Sequence, residues 1–151
     1  MTLRRYERTR ALVEGDPALA RAIVHEVEGR RDEGAREVTV VDEPREELVM
    51  VQVRETAQGG LFYLGEALMT SCRVRVGSSV GLGLVLGGDR CRAYELAVVD
   101  AAFAGEAGAP RAERWDGRLR QELAHIEERE AAEARRVATT KVDFSTMKVE
   151  A

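Results

Sequence analysis

Residues 72–104 read CRVRVGSSVGLGLVLGGDRCRAYELAVVDAAFA, and the reading of this stretch decides the fold. Its first half has a period of two. Cys72, Val74 and Val76 alternate with Arg73 and Arg75, and Val80, Leu82, Leu84 and Leu86 alternate with Gly81, Gly83 and Val85. Only Gly77 to Ser79 separates the two runs, too little chain for a parallel crossover, so they pair antiparallel. Gly87-Gly88-Asp89 then turns the chain into a helix capped by Asp89 that runs to about Ala104. That helix is apolar nearly all round, through Ala93, Leu96, Ala97, Val98, Val99, Ala101 and Ala102, which marks it as buried on the sheet or against a partner. Glycine on one face of the preceding strand lets a helix or a neighbouring chain approach closely.

Upstream, the same period of two gives three more runs. Val38 and Val40 alternate with Thr39 and Val41; Val49, Val51 and Val53 alternate with Met50, Gln52 and Arg54; Leu61 to Leu64 form a short third run. The run through Cys72 begins at Leu68. The connections, Glu43 to Glu46, Glu55 to Gly60 and Gly65 to Ala67, are again short, so the spacing predicts a five-stranded, mainly antiparallel meander. Before it lie two helices. Arg4 to Leu12 is stopped by Gly15; Asp16-Pro17 then caps a second helix whose Leu19, Ala20, Ile23, Val24 and Val27 make one buried stripe.

Beyond the small-residue linker Gly105 to Pro110, a long charged helix is expected from Arg111 to about Val137, with Trp115, Leu119, Leu123 and Ile126 as a narrow stripe and Gly117 as its weak point. The expected fold is α+β: N-terminal helices, the meander sheet, a helix buried on it, the long charged helix and an extended apolar tail. Residues 1–104 form the core domain, and 105–151 the long helix and docking tail of the same domain. Ordering about ten tail residues costs roughly 10 to 20 kcal/mol of backbone entropy. Burying Val142, Phe144, Met147 and Val149 returns only about 6 to 12 kcal/mol. The tail therefore needs extra hydrogen bonds or another chain to become ordered, and reads as a docking segment. The expected partner-interface residues are Trp115, Leu119, Val142, Asp143, Phe144 and Met147.

Composition narrows the function. At 151 residues, with 33% charged residues and a net charge of −4, the chain lacks the positive field that nonspecific binding to nucleic acid or an anionic membrane requires. All bases but Lys141 and Lys148 are arginine, so clustered arginines carry little weight. No run approaches the roughly 20 apolar residues that span a bilayer, and the charged start is unlike a signal peptide, so a cytoplasmic chain is expected. Cys72 and Cys91 read as ordinary reduced thiols.

Self-sufficient chemistry is hard to find. His25 and His125 lie far apart and the cysteines are separated, so no zinc-like ligand spacing exists and no cofactor is expected. Gly81 to Gly87 resembles a dinucleotide fingerprint, but the third glycine is one position late and the glycines lie inside a strand. Gly77-Ser78-Ser79-Val80-Gly81 matches a nucleophile elbow, with Ser79 as nucleophile and His125 as base, yet a strand follows where a helix is needed. A small serine hydrolase and a homodimeric adaptor using the Trp115 stripe are the rival readings. Among the acids in apolar surroundings, Asp100 in the buried helix demands a partner, for which Arg73 or Arg75 is expected.

Three blocks together resemble one family. Gly65-Glu66-Ala67-Leu68 with Thr70, Cys72 and Val74, the strand Gly81 to Gly87 running into Asp89, Ala93, Ala97 and Asp100-Ala101, and the tail Thr140-Lys141-Val142-Asp143-Phe144-Ser145-Thr146-Met147 are similar to the PhnG family, the G subunit of the bacterial carbon-phosphorus lyase core complex. The pattern departs at Ser145, where a second aromatic is usual, and at Gly88, where arginine is frequent. The resemblance implies a non-catalytic subunit, two copies of which assemble with H, I and J subunits in a two-fold complex. It implies a role in phosphonate catabolism, in which an alkylphosphonate displaces adenine from ATP to give ribose 1-phosphonate 5-triphosphate. The transfer is attributed to the I-type subunit, and later radical cleavage on an iron-sulfur cluster to the J-type.

Overall fold

A computed structural model describes residues 3–29, 37–105 and 110–140. Among them, the elements in chain order are α1 (Arg5–Glu14), α2 (Pro17–Glu28), β1 (Val38–Arg54), β2 (Leu61–Val76), β3 (Ser79–Leu86), α3 (Arg90–Gly105) and α4 (Pro110–Ala138). The sheet is an antiparallel meander in the order β1-β2-β3.

The α+β class and the antiparallel meander hold, but among the described residues the sheet has three strands where five were expected. The first two expected strands are one continuous strand, β1, and the third and fourth are one continuous strand, β2. Irregularities absorb the residues that looked like turns. Val41 is extra between Val40↔Val74 and Asp42↔Arg73, and Glu43 with Pro44 stands opposite Cys72 alone. Proline is tolerated there because β1 is an edge strand and the bulge needs no ladder hydrogen bond from it. In β2, Leu64 is the extra residue between Val51↔Gly65 and Gln52↔Tyr63, beside Gly65 at φ +153°, a backbone angle that suits glycine. Polar residues and glycine therefore bend and twist a long hairpin without ending it.

The glycine-bearing strand does what its spacing predicts. Gly81, Gly83 and Val85 face α3, and a side chain on either glycine has no room: a Cβ on Gly83 would stand 2.8 Å from Ala97 N and closer still to the Ala93 carbonyl oxygen, and one on Gly81 would stand 2.9 Å from Ala101 Cα. The small residues Ala93, Ala97 and Ala101 complete this close approach from the helix side. Around it, Cys72, Val74, Val76 and Val85 from the sheet form the core with Leu96, Val98, Val99 and Phe103. On its other sides α3 packs against α1 and α2, which is why it is apolar nearly all round.

The helix ends follow their sequence signals. The Asp16 carboxylate accepts from Ala18 N at 2.8 Å with Pro17 in the first turn, and Asp89 accepts from Arg92 N at 2.9 Å. α4 runs through Gly117 without a break. It is held to α1 by Arg10–Glu130 at 2.5 Å and by Arg129 donating to the Glu14 carbonyl, and to the segment before α1 by Leu3 N donating to Asp116 at 2.6 Å. No described helix is long and apolar enough to cross a membrane.

Candidate protein interface

Trp115 and Leu119 are fully buried within the chain itself. The Trp115 ring meets Phe103 at a centroid distance of 5.6 Å, and its Nε1–H donates to Glu26 at 2.9 Å. Glu26 also takes Arg114 at 2.6 Å; burial works to raise its pKa, but the Trp115 hydrogen bond and the Arg114 and Arg118 guanidiniums outweigh this and hold the carboxyl below its ordinary value. These residues hold α4 to the core, and a partner could reach the two apolar side chains only if α4 left it. Val142, Asp143, Phe144 and Met147 lie outside the described residues.

Asp100 meets neither Arg73 nor Arg75. Its carboxylate takes Arg5 at 2.7 Å and the Leu82 backbone N–H at 3.1 Å, so it satisfies a donor on the free edge of β3 and ties that edge to α1. Arg73 is instead engaged by Asp42 across the hairpin. The sequence could not choose among these arginines because α1 is far from Asp100 in the chain and reaches it only by tertiary packing. A groove of about 400 Å³ lies beside this contact, lined by Arg5, Tyr6, Leu12, Leu82, Leu84 and Asp100.

The hydrolase candidates are not arranged as an elbow. Ser79 is the first residue of β3, opposite Val76, and strand continues from it; His125 is exposed on α4. Among the described residues no three His, Cys, Asp or Glu side chains gather as a metal site. Cys72 is buried, its thiol pushed up by burial and by nearby Glu43 and Asp42, while Cys91 is exposed.

The chain does present apolar surface of unusual extent. α3 covers the sheet only as far as Thr70 and Val85; near that limit Glu46 meets Arg90, in the first turn of α3, at 3.2 Å. Beyond it the β1–β2 hairpin continues as a two-stranded arm, and from Val41 to Met69 no residue is buried. Leu48 is 65% exposed, Tyr63 61% and Leu64 67%, and Val49, Met50, Leu61, Phe62 and Leu68 are also exposed. The outer side of β3 adds Val80, Leu82, Leu84 and Leu86. A monomer rarely leaves a contiguous patch of this kind in water; such patches mark protein contacts. The unbroken run Leu61-Phe62-Tyr63-Leu64 was the available signal, since consecutive apolar residues in a strand place apolar groups on both faces.

The phosphonate metabolism protein PhnG family matches residues 3–149. The chain is 36% identical over 137 residues to the alpha-D-ribose 1-methylphosphonate 5-triphosphate synthase subunit PhnG of Rhizobium meliloti (strain 1021), covering 89% of this chain and 86% of that protein. Family match and relative both extend over nearly the whole length, and the chain belongs to the PhnG family.

Proposed function

We propose that this chain is a non-catalytic assembly subunit of the carbon-phosphorus lyase core complex, where it supports transfer of an alkylphosphonate onto the ribose C1 of ATP with release of adenine. The observation that carries this reading is the family match over residues 3–149, with a relative named as a subunit of the synthase. The extensive exposed apolar surface supports it, because a lone enzyme has no use for such an area. The partners are H-, I- and J-type subunits, two copies of each with two of this chain, and the assembly is cytoplasmic.

Within it, the tail residues Val142, Asp143, Phe144 and Met147 dock on a neighbour. Trp115 and Leu119 serve this indirectly by anchoring α4, from whose end the tail departs. Co-expression with the three partner types tests the reading: the chain co-purifies with the I-type subunit, and the complete set forms the triphosphate product from ATP and methylphosphonate. Absence of any stable association would refute it. Phe144→Ala weakens assembly by about 2 kcal/mol if that ring is a central anchor; unchanged affinity removes the tail from the interface.

A further inference from the structure

We infer that the β1–β2 arm is a clasp inserted into an apolar cleft of a different polypeptide, one whose rim carries basic side chains. The inference rests on the subunit reading above and assigns the surface and the chemistry of its partner. An isolated two-stranded hairpin is marginal in water, because nothing packs against either face. This arm has that problem along its whole outer length. One face carries the pairs Leu48↔Leu68 and Met50↔Glu66, the other Val49↔Ala67 and Val51↔Gly65, and past the bulge Val53 stands opposite Phe62 and Gln52 opposite Tyr63. Past the last pairing with β3, at Met69, six pairing steps separate Leu48↔Leu68 from Arg54↔Leu61, which at about 3.3 Å per residue is a reach of about 20 Å. Apolar groups on both faces need two walls, so the complementary surface is a cleft and not a plane.

Charge selects the partner. From Glu46 to Leu68 the arm carries Glu46, Glu47, Glu55 and Glu66 against Arg54; Arg90 engages Glu46 and Arg45 engages Glu47, which leaves Glu55 and Glu66 as the acid excess. A cleft that accepts this acid excess without loss has lysine or arginine around its mouth. A second copy of this chain does not fit the arm. Among its described residues the apolar outer side of β3, beside the groove at Arg5 and Leu82, could cover only one face of the ribbon and supplies no second wall.

The test uses the full chain co-expressed with H-, I- and J-type subunits, comparing wild type with Leu48→Ser/Phe62→Ser and with Glu55→Gln/Glu66→Gln. Association of the apolar double variant is expected to weaken at least 100-fold while its unfolding midpoint stays near that of wild type, since both positions lie outside the core. The charge variant is expected to associate about tenfold more slowly at low salt, with a flatter salt dependence. If wild type assembles and both variants assemble equally well, the arm is not the clasp, and the subunit reading stands. If wild type binds none of the three subunits, the subunit reading itself fails and the clasp fails with it. A wild-type homodimer that the apolar double variant abolishes would overturn the choice of a non-identical partner.

Discussion

Gly83→Ala adds one methyl group to a place where helix and strand backbones touch, and the structure sets the size of the effect. The new Cβ would stand 2.8 Å from both Ala97 N and the Ala93 carbonyl carbon, and nearer to the carbonyl oxygen, where ordinary contact begins at 3.4 Å. α3 must therefore retreat by roughly 0.6 Å or more. A gap of that size forfeits about a quarter to a half of the dispersion energy across it. Four sheet side chains face the helix there, Cys72, Val74, Val76 and Val85, each contributing about 2 kcal/mol by burial, so the expected cost is about 2 to 4 kcal/mol. For a chain of this length that lowers the melting midpoint by about 6 to 12 °C. Gly117→Ala is the matched control: the same methyl, in an exposed helical position with nothing within 4 Å, raises stability by about 0.5 to 1 kcal/mol through helix propensity. Both are read by thermal and urea unfolding of the isolated chain. A Gly83→Ala midpoint within about 2 °C of wild type would refute the tight-packing argument, as would equal responses from the two variants.

Two further outcomes are expected of the isolated chain. A thiol reagent at pH 8 titrates Cys91 rapidly and reaches Cys72 only after unfolding, since burial both shields that thiol and disfavours its thiolate; two thiols reacting at one rate would contradict the burial of Cys72. Glu26→Gln costs on the order of 1 kcal/mol at pH 7, a modest figure because Arg114 and Arg118 are solvent-screened. The Glu26 carboxyl titrates below its ordinary value of 4.5 when folded, so its contribution is complete above that value and disappears as pH falls through the lower folded value. The gap between wild type and Glu26→Gln must therefore close in acid, and a gap that widened there would reverse the sign of the argument.

What the sequence alone determined is local or periodic. The Asp16-Pro17 and Asp89 caps, the period of two, and the short connections Glu55 to Gly60 and Gly77 to Ser79 that force antiparallel pairing depend on residues near one another in the chain, and these hold in the structure. Gly81 and Gly83 alternating along one strand beside a helix rich in small residues announced the close contact for the same reason. The PhnG resemblance was likewise carried by short ordered blocks and is matched over nearly the full length.

Tertiary structure alone decided the rest. Whether Glu43-Pro44 and Gly65 end a strand or merely bulge it depends on hydrogen bonds from the opposite strand, so five expected strands became three. Asp100 found Arg5 because α1 packs beside the β3 edge, a proximity with no trace in spacing. The Trp115 stripe and the Leu61 to Leu64 run are equally apolar in sequence, yet one is core and the other surface. Hydrophobicity drives a side chain out of water but does not name what covers it; Phe103 of α3 and Glu26 of α2 meet Trp115 and α1 packs on α4, whereas α3 ends before the arm.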